Sequence, residues 1–416
     1  MRVSAMITQS QANQFSELLG LVETEVEDMT FVEGVGIFLV ICSTRREAVC
    51  PHCGQPSRHL HQNHWYSIED LPWNEQAVVL RVNRRQFWCQ RCENVFSEEL
   101  PYVQKNRLYT QRLANQIVSQ VLGSSIHSVA ARTGLSDEQI GTMLKDAGAA
   151  YLPERPKSLK YLGMDEIAVV KGGRGYYGVL VNLETHQPIT LLPSRTQAAL
   201  REVFNRWGPE VLAGIEGVSL DLWKHYRSLV EEMMPNATVV ADRFHVIQRL
   251  NDELDEQRKA EKRAAQKIGN KAERERFLKG LTGSKYVLLK NEEDLTEPQK
   301  AKLIEVGKVA PQLVKMHRLK EVFRDIFETA ENWAEGTWRL LDWMVEALPF
   351  FKHTCGTIKR WFGEVTAYFE LRITNGVVEG INNKFKLIER LGYGFHDFNN
   401  FKLRSLLPWF FPFKAA

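Results

Sequence analysis

The stretch Lys-Tyr-Leu-Gly-Met-Asp-Glu-Ile-Ala-Val-Val at residues 160–170 predicts a buried strand interrupted by the carboxylate of Asp165. A Gly-rich segment follows at 171–175, and a second apolar run covers 176–183. Two strand-like runs around a Gly-rich turn are typical of a β-hairpin. A carboxylate within a core strand is costly unless it is paired or binds a metal ion. Asp165 is therefore either a turn-capping residue at a strand end or a candidate metal ligand.

The sequence after this hairpin alternates between strand-like and helix-like patterns. A third strand is predicted at 188–192, a helix at 196–207, a strand at 217–221, a helix at 223–234 and a strand at 237–242. This order, β-β-β-α-β-α-β, is that of an RNase-H-like sheet, in which the first and fourth strands are neighbours. We therefore expect Asp165 and Asp221 to face one site. Asp242 ends the fifth strand and is followed closely by His245.

Length and composition limit the classes to which the chain can belong. Its 416 residues are enough for two to four domains, and its apolar fraction of 44% is ordinary for a globular protein. The formal net charge is only +3, so a nucleic-acid surface must arise from local segregation of charge. The sequence shows no signal peptide and no apolar run of about 20 residues, so we expect a cytoplasmic protein.

Four of the six cysteines form two Cys-x-x-Cys pairs separated by a strand-rich stretch. This pattern is typical of a zinc ribbon, and two disulfides are the alternative. A cytoplasmic location disfavours disulfides. The zinc ligands would be Cys50, Cys53, Cys89 and Cys92. Arg84 and Arg85 precede the second pair and are candidates either for phosphate contact or for a solvated basic face.

The pattern changes to helical periodicity at 107–150, and residues 125–140 resemble a helix-turn-helix. Gly134 is expected in the turn, and Ser136 is expected to cap the second helix. That helix contains Gln139, a candidate DNA contact, but its first turn carries Asp137 and Glu138, which are unfavourable next to phosphates. The motif therefore predicts a helix pair more strongly than it predicts a base-reading function.

The remaining sequence is helical and highly charged from 246 to about 372, and residues 261–276 are typical of a solvated helix or arm. The stretch 374–390 predicts a further helix with Glu379 in its first turn. On this helix Lys386 and Arg390 lie on the same face as Glu379, at about 100° per residue. A generic polar face is one interpretation, and a metal ligand next to a phosphate-binding track is the other.

These features together resemble the ISL-three family of bacterial insertion-sequence transposases. The resemblance covers nearly the whole chain, through the cysteine ribbon, the helix-turn-helix, Gly-Met-Asp-Glu at 163–166, Asp-Arg-Phe-His-Val at 242–246 and Asn-Gly-x-Val-Glu-Gly-x-Asn-Asn-Lys-x-Lys at 375–386. It implies a multidomain α+β fold whose RNase-H-like catalytic domain is interrupted by an all-helical insertion. The expected regions are a zinc-ribbon region at 1–104, a helix-turn-helix domain at 105–152, the catalytic domain at 157–250 and 371–416, and the insertion at 251–370.

The resemblance also implies an Asp-Asp-Glu triad that binds Mg²⁺ or Mn²⁺ and catalyses DNA cleavage and strand transfer. Two divalent ions about 4 Å apart suit phosphodiester attack, and hard cations prefer carboxylate oxygens. Asp165 and Glu379 are the expected first and third acids. The second acid is Asp221 by strand count or Asp242 by its motif. The strand count favours Asp221, with Asp242 and His245 beside it.

Two rival classes stay open at this point. One is a DNA-binding regulator without enzymatic activity, and the other is a nuclease that cuts DNA without joining the ends. The transposase interpretation implies double-stranded DNA as a partner, both as terminal inverted repeats and as target. It also implies a homo-oligomer on DNA, and a bacterial cytoplasmic protein that associates with the nucleoid when bound.

Overall fold

The computed structural model describes residues 2–3, 7–168, 175–395 and 397–413. Its contacts divide the chain into two compact units. The first consists of residues up to 152 together with 391–393 and the chain from 410 onward, and the second consists of 153–390 and 394–409. Within the described residues, no helix combines the length and the apolar character needed to cross a bilayer. The finer five-part division of the chain stays a prediction.

The first unit contains eight strands and four helices among its described residues. The strands are β1 (Arg2–Val3), β2 (Thr24–Val32), β3 (Gly36–Ser43), β4 (Ala48–Val49), β5 (Pro56–Ser57), β6 (Leu60–Trp73), β7 (Gln76–Cys89) and β8 (Asn94–Ser97). The helices are α1 (Gln9–Leu19), α2 (Gln111–Leu122), α3 (Ile126–Thr133) and α4 (Asp137–Tyr151). The main sheet has the order β1-β2-β3-β7-β6, with β8 on the far end of β7, and β4 pairs with β5 separately.

Strand β7 organises this sheet because it is long enough to pair with three neighbours. Its first half lies parallel to β3, with Leu39 opposite Leu80. Its second half, from Arg81 onward, pairs with the outer part of β6 and then with β8. Burial of the alternating apolar residues of β3 and β7 closes a core on one face, and each fully buried Leu or Val stabilises it by roughly 1.5–3 kcal/mol.

Helices α3 and α4 form the predicted helix pair. Ser125 and Ser136 cap their amino ends through side-chain oxygens, and Ser136 forms a reciprocal capping box with Gln139. Gly134 has a φ of 76°, a left-handed conformation that favours glycine and ends α3. Val129 of α3 is fully buried. The helix-turn-helix is therefore present as a structural element.

The second unit contains a five-stranded sheet within the described residues. Its strands are β9 (Tyr161–Ala168), β10 (Tyr176–Asn182), β11 (Gln187–Leu192), β12 (Gly217–Leu220) and β13 (Thr238–Ala241). The order is β11-β10-β9-β12-β13, with antiparallel pairing from β11 to β9 and parallel pairing from β9 to β13. The first and fourth strands are neighbours, so the RNase-H-like fold is confirmed. Of the turn predicted at 171–175, residues 171–174 lie outside the described residues.

The helices of this unit fall into those around the sheet and those of the insertion. Around the sheet are α5 (Gln197–Trp207), α6 (Pro209–Ala213), α7 (Lys224–Met233), the start of α8 (Arg243–Gln266), α17 (Gly376–Leu391) and α18 (Phe398–Phe410). The insertion continues along α8 and contains α9 (Lys271–Leu281), α10 (Ser284–Leu289), α11 (Glu297–Val309), α12 (Pro311–Thr329), α13 (Trp333–Ala347) and α14 (Lys352–Arg360). The short helices α15 (Phe362–Thr366) and α16 (Tyr368–Leu371) end the insertion and contact β13 of the sheet. A 3-10 turn at Glu292–Asp294 links α10 to α11.

Gly163 allows the start of α17 to pack directly on β9. A Cβ atom at this position would lie 2.8 Å from Val378 Cγ2 and 3.3 Å from Asn375 Oδ1, which is too close for an ordinary contact. The amide of Asn375 donates to the carbonyl oxygen of Met164 at 3.0 Å, so it fixes the helix start against the strand. The glycine of the Gly-Met-Asp-Glu motif therefore brings α17 beside Asp165.

Candidate metal centres and their surroundings

The four cysteines of the predicted ribbon converge in the first unit. Cys50 and Cys53 lie in the tight turn between β4 and β5, while Cys89 ends β7 and Cys92 lies in the turn before β8. Their four sulfur atoms all lie within 4.8 Å of one another, with 3.6 Å between Cys53 Sγ and Cys89 Sγ. Four thiolates at these separations match the tetrahedral ligand set of structural zinc.

The surroundings of the sulfurs favour the protonated form of one of them. Hydrogen bonding to Cys53, followed by burial, raises the pKa of Cys92 to about 12, so the Cys92 thiol would stay protonated without a cation. A coordinated Zn²⁺ reverses this preference because it binds the deprotonated form. Ala48, Phe87 and Phe96 pack around the sulfurs and form a small apolar core of their own. The cysteines therefore fit a structural zinc ion.

The second cluster lies at the carboxyl ends of β12 and β13 beside β9. Leu220 is opposite both Met164 and Ala241 in the sheet, and an acid follows each of these three residues. Asp165 and Asp221 therefore reach one place, as the strand order predicts. One ligand atom from each of Asp165, Asp221 and His245 lies within 4.8 Å of the others.

His245 connects the two candidates for the second acid. Its Nε2 atom forms an ion-pair contact with Asp221 Oδ1, and it lies 3.9 Å from Asp242 Oδ2. The Asp242 side chain is only 3% exposed, whereas the Asp221 side chain is 21% exposed. Asp242 also stays within hydrogen-bonding distance of the backbone amide of Asn375, at 3.4 Å. Asp221 is thus the more accessible carboxylate, and Asp242 lies behind it.

Burial and like charge both act on this cluster. Burial, reinforced by the charge of Asp221, raises the pKa of Asp165 to about 7. Burial likewise raises the pKa of Asp242. For His245, burial lowers the pKa, but the hydrogen bond and the charge of Asp221 outweigh it and raise the pKa overall. Carboxylates held together in this way gain most from a bound cation.

Helix α17 contributes an amide to the cluster that sequence reasoning missed. Asn382 Nδ2 donates to Asp165 Oδ2 at 2.7 Å, and the backbone amide of Glu166 donates to Asp165 Oδ1, also at 2.7 Å. The Oδ1 atom of Asn382 is buried and has no hydrogen-bond partner among the described residues. Asn382 could have been recognised in the sequence as a polar residue within an apolar helix face. The other buried residues of that face are Val378, Ile381, Phe385 and Ile388.

Glu379 is not brought into this cluster. It is exposed in the first turn of α17, and the metal-binding group found among the described residues consists of Asp165, Asp221 and His245 without it. Glu379 precedes Asn382 by three residues, so the two lie on adjacent turns of one helix face. Its role as the third acid stays a prediction.

A polar cavity of about 410 Å³ opens beside the acids. Asp221 and His245 line one part of it, and Gln248 and Arg249 of α8 line another. Arg195 forms an ion pair with Glu166 at 2.6 Å, and its guanidinium lies 5.0 Å from the ring centroid of Trp223. Asp221 and His245 are therefore open to a substrate and not enclosed in the core.

The predicted DNA contacts occupy different surroundings. Lys386 and Arg390 are exposed on α17, on the face opposite its buried stripe. Arg84 donates to the carbonyl oxygen of Glu98, and Arg85 forms an ion pair with the Glu98 carboxylate at 2.6 Å. Contact between these residues and DNA stays a prediction.

Gln139 is already engaged within its motif. Its Oε1 atom accepts from the Ser136 amide, and its Nε2 atom donates to Glu69 at 3.3 Å. By contrast, the outer part of β6 exposes two aromatic residues that the sequence analysis did not select. Trp65 and Tyr66 are 55% and 38% exposed, and the guanidinium of Arg81 lies over the Trp65 ring.

A zinc ribbon and a helix-turn-helix in one chain with an RNase-H-like sheet and clustered acids are the architecture of a DNA transposase. A family model described as a transposase matches residues 162–405, more than half of the chain. The zinc-finger of transposase IS204/IS1001/IS1096/IS1165 matches 46–92, and the helix-turn-helix domain of transposase family ISL3 matches 98–148. The chain belongs to this ISL3 family, so the resemblance to the ISL-three transposases is confirmed.

Two relatives illustrate the similarity over most of the chain. The transposase for insertion sequence element IS1001 of Bordetella parapertussis is 28% identical over 374 residues, which cover 88% of this chain and 90% of that protein. The transposase for insertion sequence element IS1557 of Mycobacterium tuberculosis is 27% identical over 418 residues, with 92% of each chain covered. Membership of the family identifies the chain as an enzyme of DNA transposition.

Proposed function

We propose that this chain binds the terminal inverted repeats of an insertion sequence and catalyses metal-dependent DNA cleavage and strand transfer. The observation that carries the proposal is the convergence of Asp165, Asp221 and His245 within 4.8 Å at the edge of an RNase-H-like sheet. The zinc ribbon and the helix-turn-helix would supply DNA binding, and the chain would act as a homo-oligomer on nucleoid DNA in the bacterial cytoplasm.

The residues at the site fit a hard divalent cation such as Mg²⁺ or Mn²⁺. Asp165 and Asp221 supply carboxylate oxygens, and the unpartnered Oδ1 atom of Asn382 is a carbonyl oxygen of the kind that such ions also bind. When bound, the metal would activate the attacking hydroxyl and stabilise charge on the phosphate oxygens. A second ion would require a further acid, which we assign to Glu379.

The other residues act by position and charge. Asn382 orients Asp165 through its hydrogen bond, and Asn375 holds the start of α17 on β9. His245 contacts Asp221 on the side of Asp242, so Asp242 acts through His245 as a positioning residue. Because each of these groups lies on a helix or directly before one, the carboxylates need little rearrangement before a substrate binds.

The proposal is tested with the full chain, a duplex carrying the element's terminal repeat, and Mg²⁺. The transposase predicts metal-dependent strand cleavage followed by joining of the cut end to a second duplex. Cleavage without joining would identify a stand-alone nuclease. Binding of the repeat without cleavage in Mg²⁺ or Mn²⁺ would leave only a DNA-binding regulator and would contradict the proposal.

A further inference from the structure

The positive charge of this chain is concentrated in one part of the helical insertion. Residues 262–290, at the end of α8 and in α9 and α10, contain nine Lys and Arg and two Glu, a formal charge of +7. The rest of the chain contains 45 Lys and Arg and 49 Asp and Glu, a formal charge of −4. The weakly positive total therefore conceals a strongly cationic segment on a slightly acidic protein.

The cations of this segment are not neutralised by carboxylates. None of the nine forms an ion pair with an acid among the residues that the structure describes. Helices α11 to α13 differ, because six of their eight Lys and Arg residues pair with Asp or Glu; these six are Lys300, Lys302, Lys315, Lys320, Arg324 and Arg339. The insertion thus combines a charge-balanced part with an unbalanced one.

Two cations of α9 also converge on a cleft with a third from α11. Arg276, Lys279 and Lys308 line a cavity of about 410 Å³ between the two helices. The one acid that lines the cavity, Glu305, pairs with Lys302 at 3.0 Å. Close packing of Gly280 against Val309 holds α9 on α11, so these cations are presented by a fixed surface.

We propose that this surface, which we call the α9 surface and define as residues 262–290 with Lys308, binds the phosphate backbone of duplex DNA. The inference rests on the proposed function, which makes DNA the substrate, and it adds a second DNA-binding region in the other unit. From Lys271 to Lys279 the helix rises about 12 Å. A duplex presents roughly seven phosphate charges over this distance. Contacts with phosphates carry no sequence information, so the surface binds any duplex equally.

The test compares two triple variants of the full chain that change the net charge equally. One variant combines Lys271→Gln, Arg276→Gln and Lys279→Gln, whose side chains are exposed and form no ion pairs among the described residues. The control combines Lys300→Gln, Lys315→Gln and Arg339→Gln, whose side chains pair with acids. Binding of a terminal-repeat duplex and of a random duplex is measured by fluorescence anisotropy over a range of salt concentrations.

We expect the α9 variant to lose roughly tenfold in affinity for both duplexes near 0.15 M salt, with a salt dependence shallower by up to about 2.7 log units per decade. The control should keep the parental slope. Circular dichroism checks that both variants fold. If the α9 variant does not fold, the double variant Lys262→Gln and Lys267→Gln is measured in its place.

The outcomes separate this inference from the proposed function. If the parent binds neither duplex, the proposed function fails. If the parent binds and the α9 variant keeps the parental affinity and slope, only the α9 surface is contradicted. A loss confined to the terminal repeat would also contradict it, because that result requires base recognition. Equal losses in the α9 variant and the control would show a general charge effect and would overturn the assignment as well.

Discussion

The zinc ribbon and the acid cluster are the two candidate metal centres of this chain, and they differ in how much of each is assembled. All four sulfurs of the ribbon lie within 4.8 Å of one another, whereas the acid cluster unites Asp165, Asp221 and His245 but not Glu379. The ribbon ligands come from two turns joined by paired strands. The residues of the acid cluster come from strands and helices far apart in sequence. A structural site is closed by its own ligands, while a catalytic site keeps an open side for the substrate.

The largest effect is expected when a zinc ligand of the ribbon is removed. Cys53→Ser should abolish zinc binding and unfold the ribbon, because structural zinc contributes about 10–16 kcal/mol in small zinc domains. Cys42→Ser is the control, since Cys42 lies outside the group of four sulfurs. Zinc content and hydrogen exchange over residues 45–100 provide the measurement. A ribbon that stays folded without zinc would contradict the assignment.

The next largest effect is expected at Asn382, whose side-chain amide supports Asp165. Asn382→Ala should lower the cleavage rate about 10–100-fold and raise the Mg²⁺ concentration needed for half-maximal activity, because it removes a hydrogen bond to a metal ligand. Asn383→Ala, at the exposed neighbouring position, should retain parental activity. If the two variants behave alike in cleavage assays, Asn382 has only a structural role.

A smaller effect, on the pH dependence of stability, is expected from the raised pKa of Asp165. Because its folded-state value of about 7 exceeds the usual value of 3.8, the parent loses stability as pH rises through this interval. Asp165→Asn removes that loss, so its gain in unfolding free energy over the parent should be about 2 kcal/mol larger at pH 8 than at pH 5.5 without Mg²⁺.

Denaturant unfolding of zinc-loaded protein at the two pH values measures this gain. Glu379→Gln is the control, because it replaces an exposed carboxylate. A gain for Asp165→Asn that is the same at both pH values would show that the carboxyl group does not titrate near pH 7 in the folded protein. In that case burial and Asp221 do not act on it as described.

The smallest effect is expected at Arg84 and Arg85. Both are candidate phosphate contacts, but only Arg85 also forms an ion pair with Glu98. Arg84→Ala should weaken binding to all duplexes by a similar factor, roughly threefold near 0.15 M salt, because it removes one phosphate contact. Arg85→Ala should in addition destabilise the first unit by about 1–3 kcal/mol, since it leaves the buried Glu98 carboxylate without its guanidinium partner. Parental duplex affinity for Arg84→Ala would exclude that arginine from the interface.

The features that the sequence predicted correctly are those that depend on local pattern and spacing. Two residues between the cysteines of a pair let both sulfurs of one tight turn reach the same ion. The alternation of strands and helices predicted that β9 and β12 are neighbouring strands. The convergence of Asp165 with Asp221 followed from that order. The Ser136 cap also follows from local chemistry, because a serine oxygen satisfies amides of its own helix.

The features that the sequence did not predict depend on contacts between distant elements. Asn382 reaches Asp165 across 217 positions of sequence, and the sequence pattern did not select it as a site residue. Arg85 meets Glu98 through the pairing of β7 with β8, which determines whether the guanidinium is free. Glu379 is the opposite case. Its place in the first turn of α17 predicted a metal ligand, but its side chain is not part of the group formed by Asp165, Asp221 and His245.

The central claim is that Asp165 and Asp221, completed by Glu379, carry out DNA cleavage while Asp242 supports them through His245. The most direct test measures Mg²⁺-dependent cleavage of a terminal-repeat duplex by Asp165→Asn, Asp221→Asn, Glu379→Gln and Asp242→Asn, each checked for folding and DNA binding. We predict that the first three lose cleavage by at least about a thousandfold and that Asp242→Asn keeps measurable activity. Normal cleavage by Asp221→Asn together with an inactive Asp242→Asn would make Asp242 the second acid. Parental cleavage by all four variants would contradict the account.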